Sequence, residues 1–337
     1  MRYIVYLCLS VFLFSCGQNI KHMVNNTSIQ QQIDSILNVS KFNGVVHLER
    51  DKNVVYYKAV GLANFKNQKE LKKNDQFVIG SISKQITAVL VLQWLEAKRL
   101  KLTDTIGSYL TDLNQNWKDE ITIHQLLTHT HGIINLNDEL AFTPGSHFSY
   151  SQLGYHLLAQ ILEVISNKPF ESLVADLCFK NNLNHTYHPH SNSYKIVAGY
   201  ESSLDSVMES KYSLENYAAA GSMISNTTDL IRWNELLHGG ELVESETYEL
   251  MTSRYATRMH PIYGEVEYGY GVLFNKGQSD VQIGALGYAP GFVSSSYYFP
   301  QTKYNMVILE NVAQGLPDFK KAFQTQINLL ELVAKLK

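Results

Sequence analysis

The fold of this chain is decided by residues 77 to 88, which read Phe77-Val78-Ile79-Gly80-Ser81-Ile82-Ser83-Lys84-Gln85-Ile86-Thr87-Ala88. An apolar run ends at Gly80, and apolar residues then recur at helical spacing, which predicts a strand, a turn and a buried helix. Residues three apart share one face of a helix, so Lys84 is expected to reach back to the Ser81 hydroxyl. The positive end of the helix favours negative charge developing on that oxygen.

This spacing assigns chemistry to both residues. A serine hydroxyl is a weak nucleophile until a base removes its proton, and a desolvated lysine of lowered pKa serves as such a base. On spacing alone the pattern is weak, because about one or two matches arise by chance in a chain of this length. The sequence of strand, turn and buried helix raises its specificity. Ser81 is therefore the predicted nucleophile and Lys84 its partner.

Composition excludes several classes of protein. The chain has 337 residues, of which 45% are hydrophobic and 18% charged, as in an ordinary globular enzyme. It carries a formal net charge of −3 and so lacks the basic surplus of a nucleic-acid-binding protein. Its length exceeds what one hydrophobic core usually serves, which predicts one large domain or two closely packed lobes.

Hydrophobic periodicity separates the chain into strand-rich ends and a helical middle. The predicted strands are Gly44–Glu49, Val54–Val60, Tyr270–Phe274, Val281–Ala285, Phe292–Phe299 and Asn305–Glu310. Besides the helix after Ser81, the predicted helices are Ile29–Leu37, Ile123–Leu127, Leu153–Ile165, Phe170–Leu177 and Phe319–Lys335. This order predicts an α+β fold, in which an all-helical lobe (residues 81–194) interrupts a sheet-and-helix lobe (residues 29–80 and 195–337).

Further segments follow residues 77–88 in a fixed order: Leu100–Asp104, Ile121–Gly132, Pro144–Ser151, Ala220–Ser225, Tyr268–Gly271 and Pro290–Phe292. The ordered series resembles the serine β-lactamase and penicillin-binding-protein superfamily, in its class C-like branch of D-aminopeptidases, carboxypeptidases and esterases. The resemblance makes residues 29–337 a β-lactamase-related catalytic domain. It implies an antiparallel sheet flanked by helices, with the active site between the sheet and an all-helical lobe.

The second motif of that family is Tyr-x-Asn, whose tyrosine works with the lysine as base and proton shuttle. Tyr150 matches the tyrosine, and its phenol can relay a proton to the leaving group if Lys84 keeps it partly ionised. Gln152 stands in place of the asparagine. Because glutamine is one methylene longer, recognition of an amide substrate is expected to differ. The alternative for Tyr150 is a tyrosine buried in the core.

The third motif of the family is Lys-Thr-Gly or His-x-Gly, on the strand that faces the serine. The equivalent residues here are Ala285-Leu286-Gly287. Gly287 is retained, and the resemblance makes the Tyr288 amide the second oxyanion donor beside the Ser81 amide. Ala285 supplies no charge. We therefore expect weaker binding of β-lactams and D-Ala-D-Ala termini, both anionic, and predict a neutral or ester substrate.

Histidines and cysteines offer alternatives to this site. The histidines cluster as His124, His129 and His131 and as His185, His188 and His190. A zinc site needs converging rings and usually a carboxylate or thiolate, and the first cluster falls in a family-like segment whose residues pack around the site without metal. We predict neither metal nor other cofactor. Cys178 lies between apolar residues and is expected in the core.

The N-terminus resembles a bacterial lipoprotein signal. Met1-Arg2 is followed by the apolar run Tyr3–Phe14, and a small residue precedes Cys16. An apolar core of roughly a dozen residues is typical of a secretion signal and too short to span a membrane. We predict a signal peptide at residues 1–15, lipidation at Cys16 and a tether at residues 16–28. The alternative is an ordinary signal peptide with an incidental cysteine.

Together these features predict a serine hydrolase anchored by lipid to a membrane and facing the periplasm or the cell exterior. It would act through an acyl-enzyme on an ester or a D-amino-acid amide or peptide. Because two of three motifs are altered, the alternative is a catalytically silent relative that binds a wall fragment or a partner protein.

Overall fold

The computed structural model describes residues 29–191, 193–202, 206–211, 217–275 and 282–336. The predicted signal peptide, Cys16 and the whole of the tether lie outside these residues, so their assignment stays a prediction. In the described part of the chain, no helix combines the length and the apolar character needed to cross a membrane.

The strands form one large sheet and three small ones. The strand bounds are β1 Gly44–Arg50, β2 Asn53–Val60, β3 Leu62–Asn64, β4 Lys69–Glu70, β5 Phe77–Val78, β6 Tyr200–Ser202, β7 Val207–Glu209, β8 Ile224–Ser225, β9 Ala256–His260, β10 Gly264–Tyr268, β11 Leu273–Asn275, β12 Gln282–Ala289, β13 Phe292–Phe299, β14 Tyr304–Glu310 and β15 Val312–Gln314. The large sheet has eight antiparallel strands in the order β2-β1-β14-β13-β12-β11-β10-β9. Two of its strands come from the N-terminal part of the chain and six from the C-terminal part, so the sheet is assembled from distant segments, as the sequence predicts.

The helices surround this sheet. Their bounds are α1 residues 29–39, α2 Ser83–Glu96, α3 Ile123–Leu127, α4 Gln152–Ser166, α5 Phe170–Lys180, α6 Thr227–His238, α7 Ser245–Thr252, α8 Phe319–Ala322 and α9 Gln324–Ala334. A 3₁₀ turn, Gly80–Ile82, precedes α2, and a π-helical turn covers Ala218–Ser222. Helices α2, α4 and α5 pack on one another beside the sheet. The predicted nucleophile segment lies between these helices and the sheet.

Alternation along the central strands explains the layers. In β14, Met306 and Ile308 join the core beneath α1 and α9, whereas Val307 and Leu309 join the core shared with α2, α4 and α6. Successive residues of a strand point to opposite faces, so a strand that is apolar throughout must be covered on both sides. The predicted α+β architecture, an antiparallel sheet flanked by helices, is confirmed.

Three predicted elements differ in detail. The strand predicted at Val281–Ala285 extends to Ala289 as β12. The strand predicted at Tyr270–Phe274 begins at Leu273, because Gly271 has a positive φ of 70° and Gly269 donates a backbone hydrogen bond to Val272 at 2.9 Å, which closes a turn. The final helix is two helices, since Phe323 departs from helical geometry with φ −99° and ψ 11°. Strands β9 and β10 and helices α6 and α7 were not predicted.

Candidate active site

Ser81 lies in the turn between β5 and α2. Gly80 has a φ of 54°, a conformation that side chains rarely adopt. A Cβ atom at Gly80 would overlap the Tyr288 amide nitrogen and the Gly287 backbone. The sequence therefore needs glycine here for two reasons, and the close approach puts Tyr288 beside the nucleophile turn, where a second oxyanion donor is predicted.

A serine on β13 fixes this approach. Ser294 Oγ lies 2.8 Å from the Ile79 carbonyl and 3.2 Å from the Gly287 carbonyl, and it can donate to either. A Cβ atom at Gly287 would overlap both the Ile79 carbonyl and Ser294 Oγ. The retained glycine of the third motif thus allows the facing strand to touch the nucleophile turn, as predicted.

Lys84 lies on the first turn of α2 and is only 1% exposed. Its Nζ donates to Ser81 Oγ at 3.2 Å and to the Ala220 carbonyl at 2.6 Å. Ala220 belongs to the π-helical turn, a rare geometry that is frequent at functional sites. The Ala220 carbonyl directs the Lys84 ammonium toward Ser81. The sequence did not predict this role, because any residue type can supply a backbone carbonyl.

Tyr150 completes the group around Ser81. Its hydroxyl donates to Ser81 Oγ at 2.6 Å, and Lys84 Nζ lies 4.6 Å from the centroid of its ring. The side chain keeps 39% of its surface exposed, so the alternative of a core tyrosine is wrong. The structure brings the three predicted residues together at hydrogen-bonding distance.

The electrostatics of this group favour removal of the serine proton. Burial lowers the pKa of Lys84, although the neighbouring Tyr150 opposes the shift. Burial alone would raise the pKa of Tyr150, but the positive charge of Lys84 and the hydrogen bonds outweigh it, so the pKa of Tyr150 lies below its ordinary value. Both groups thus lose a proton more readily than in water and can act as the base.

His129 holds Tyr150 in place from behind. Its carbonyl accepts the Ser149 amide at 2.8 Å, and its Nδ1 accepts the Ser151 amide at 3.2 Å. Its ring centroid lies 4.5 Å from that of Tyr150, and its own φ is 59°. Burial keeps the pKa of His129 well below its usual range, so the ring is neutral. His129, one of the histidines considered as a metal ligand, therefore holds the backbone on both sides of Tyr150.

The hydrogen bond from the Ser151 amide to Nδ1 fixes the tautomer of His129. With Nδ1 accepting, the proton resides on Nε2, which lies 3.2 Å from the Tyr268 hydroxyl. Tyr268 lies in the family-like segment Tyr268–Gly271 and lines the cavity in front of Ser81. Neighbouring His124 likewise bonds a tyrosine, with its Nδ1 2.7 Å from the Tyr270 hydroxyl.

A cavity of about 290 Å³ opens in front of Ser81. Ala285 and Tyr288 line it, as the third-motif register predicts, but so does Arg258 of β9. The cavity therefore contains a cationic side chain, although the third-motif residue Ala285 is uncharged. Arg258 lies on β9, which is three strands away from β12, the strand of Ala285. Only the pairing of the strands brings the two residues to the same cavity.

Gln152 is not brought into that cavity. It is exposed at the start of α4 and lines a neighbouring cavity of about 540 Å³, which shares Tyr150 with the first. Ile133, Leu136 and Tyr217 form much of its wall. The two cavities meet at Tyr150, so a substrate bound at Ser81 can extend to either side.

Two other sequence features lie apart from Ser81. Cys178 is buried in α5, where burial raises the pKa of its thiol to about 12, so it is an inert core residue as expected. Within the described residues, Glu171, His188 and His190 place ligand atoms within 4.8 Å of one another. However, His188 Nδ1 accepts the His190 amide at 3.2 Å, which leaves its proton on Nε2.

The fold and this geometry define a class of protein in which a serine, a lysine and a tyrosine converge between a sheet and a helical lobe. Residues 30–331 match the family model described as Beta-lactamase. The chain therefore belongs to the β-lactamase family.

Solved structures share the fold. A D-amino acid amidase from Ochrobactrum anthropi SV3, complexed with D-phenylalanine, superposes with a TM-score of 0.81 at 18% identity, covering 91% of this chain and 99% of that one. EstCE1, described as a hydrolase with promiscuous acyltransferase activity, gives a TM-score of 0.77 at 17% identity over 92% and 100% of the two chains.

Curated relatives are longer proteins. The putative penicillin-binding protein PbpX of Bacillus subtilis is 24% identical over 257 residues, which cover 68% of this chain and 64% of that protein. Protein flp of Staphylococcus aureus is 23% identical over 338 residues, which cover 88% of this chain and 66% of that protein. The chain thus spans about two thirds of the length of these relatives.

Proposed function

We propose that this protein is a serine hydrolase that forms an acyl-enzyme at Ser81. The observation that carries the proposal is the convergence of Lys84 Nζ, at 3.2 Å, and Tyr150 Oη, at 2.6 Å, on one serine oxygen. Among the described residues, no carboxylate pairs with the buried Lys84, and a purely structural role would not require such a lysine next to an exposed tyrosine. Such a pair is costly to bury and useful as a base.

The reaction runs in two halves. In acylation, Ser81 Oγ attacks the substrate carbonyl while its proton passes to the Lys84–Tyr150 pair, and the amides of Ser81 and Tyr288 donate to the oxyanion. Tyr150 then gives the proton to the leaving group as the carbonyl–heteroatom bond breaks. In deacylation, water attacks the acyl carbon, the pair takes a proton from it, and Ser81 leaves with that proton.

The substrate class is an ester or a D-amino-acid amide or peptide. The amidase and the hydrolase named above share the fold, and the altered Gln152 and Ala285 depart from the family motifs that serve peptide and antibiotic substrates. The pattern around Cys16 supports a location in the cell envelope, with the lipid anchor holding the protein on a membrane that faces the periplasm or the exterior.

The test is covalent labelling with a fluorophosphonate, which reacts with activated serines. The wild-type protein is expected to be labelled once, the Ser81→Ala variant not at all, and the matched Ser245→Ala variant as strongly as the wild type, because Ser245 is exposed at the start of α7. Equal labelling of Ser81→Ala would overturn the proposal. An unlabelled wild type whose melting temperature rises with wall peptides would instead identify a silent binding relative.

A further inference from the structure

Arg258 lines the cavity in front of Ser81. Its guanidinium carbon lies 5.0 Å from the centroid of the Tyr150 ring and 5.4 Å from that of Phe148. Cation–π contacts with these two rings fix the position of the guanidinium at the cavity wall. The residue is therefore oriented by the same tyrosine that contacts Ser81.

Arg258 interacts electrostatically with the phenols of Tyr150, Tyr268 and Tyr297, but with no carboxylate within the residues that the structure describes. No acidic side chain there forms an ion pair with it, and its buried Nε lacks a hydrogen-bond acceptor. The nearest acids on the neighbouring strand, Glu265 and Glu267, pair with Met259 and Thr257 and point to the other face of the sheet. Arginine stays protonated in proteins, so this site holds a standing positive charge.

Much of the rest of the cavity wall is apolar. Its apolar side chains include Ile262, Leu273, Leu286, Phe319 and Phe323. Burial lowers the pKa of the one lining histidine, His260, to about 3, so that this ring is neutral. An unpaired cation in an apolar pocket is unfavourable by itself and becomes favourable when an anion on an apolar body fills the space.

We infer that Arg258 binds a carboxylate of the substrate, carried on an apolar or aromatic body, and so determines specificity. The inference rests on the proposed function, because the cavity is a substrate site only if Ser81 reacts. It reverses the expectation of a neutral substrate drawn from Ala285. The guanidinium suits a carboxylate because its paired N–H groups match the two oxygens.

The experiment compares two matched pairs of esters. In the first pair, 4-acetoxybenzoate and its methyl ester differ by a carboxylate in the leaving group. In the second, the 4-nitrophenyl monoester of glutaric acid and its methyl diester differ by a carboxylate in the acyl group. The measured quantity is the ratio of kcat/KM between the charged and the neutral member of each pair.

For the wild type, this ratio is expected to favour the carboxylate in at least one pair, and Arg258→Met is expected to lower it about ten- to a hundredfold. Arg258→Lys, which keeps the charge and loses the planar fork, should fall between them. Because a ratio is read, a general loss of activity or of folded protein cancels. Arg254→Met is the matched control, since Arg254 pairs with Glu267 outside the cavity and should leave the ratio unchanged.

The outcomes separate this inference from the proposed function. Hydrolysis of all four esters with a ratio that Arg258→Met leaves unchanged would overturn the inference and leave Ser81 as nucleophile. Loss of the ratio in Arg258→Met alone supports the inference, and the pair that responds identifies which side of the substrate carries the carboxylate. Failure of the wild type to hydrolyse any ester would count against the proposed function itself.

Discussion

The two walls of the cavity differ in how they are built. On the nucleophile wall, Ser81, Lys84 and Tyr150 meet at hydrogen-bonding distances, with Gly80 and Ala220 fixing their positions. The facing wall includes residues of β9, β11 and β12, and among the described residues its cation is Arg258 of β9. Proton transfer tolerates little displacement, whereas a charge that attracts a substrate can be supplied from several directions.

This difference explains how a site can keep its reaction and change its substrate. The hydrogen bonds at Ser81 depend on a short turn, a helix and a π-helical turn that must all stay in register. The cation of the facing wall needs only to reach the cavity, and a wide antiparallel sheet offers several strands from which to do so. Variants of the two walls should therefore behave differently, the first losing rate and the second losing discrimination.

The largest effect is expected on the nucleophile wall. Lys84→Met removes the buried base and keeps an apolar stem, and kcat should fall about 10²–10⁴-fold for every substrate, with little change in the ratio between charged and neutral esters. Steady-state kinetics on the ester pairs measure it. A Lys84→Met variant that keeps its kcat and changes only the ratio between charged and neutral esters would contradict the proposed difference between the walls.

Contact between the walls is tested at Gly80. Gly80→Ala combines a positive φ, which costs about 1–2 kcal/mol, with overlap of the Gly287–Tyr288 backbone, which adds about 1–3 kcal/mol. Gly240→Ala is the matched control, since its φ is 76° and no atom lies within 4 Å of the added Cβ. Urea unfolding should therefore show only the smaller cost for Gly240→Ala. Equal costs would mean that the walls do not touch at Gly80.

A smaller effect on rate is expected at His129. His129→Ala removes the ring that contacts Tyr150 and accepts the Ser151 amide, so Tyr150 is held less firmly. As a result, kcat should fall about tenfold while KM changes little. Burial is the main cause of the low Lys84 pKa, so water entering behind Tyr150 raises that pKa and moves the acid limb of the kcat/KM profile to higher pH. His129→Gln, whose amide oxygen can accept the Ser151 amide, should restore part of the rate. An unmoved acid limb would reduce His129 to a packing residue.

The smallest effect is expected at Gln152. Because it is exposed and lines the neighbouring cavity, Gln152→Asn should change kcat/KM only a few-fold, and only for substrates whose acyl portion extends past Tyr150. A series of acyl chain lengths measures it. A large, uniform loss of rate would place Gln152 on the nucleophile wall instead.

Local patterns in the sequence predicted well where the cause was local. Helical spacing put Lys84 on the same face as Ser81, and hydrophobic periodicity located both ends of β1, β2, β13 and β14 to within one residue. Prediction failed where tertiary contacts decided the outcome. A strand was predicted at Tyr270–Phe274, yet a turn at Gly271, packed against α2, delays its start to Leu273.

The sequence by itself determined the nucleophile turn, because Gly80, Ser81 and Lys84 act through the geometry of a single turn of chain. The ordered motifs added Tyr150, which lies 69 residues from Ser81 and needed no knowledge of the packing. Only the tertiary structure decided what surrounds them. Helix packing and strand order bring the Ala220 carbonyl, His129 and Arg258 to the site. Such contacts join residues that are far apart in the chain, so no regular spacing in the sequence predicts them.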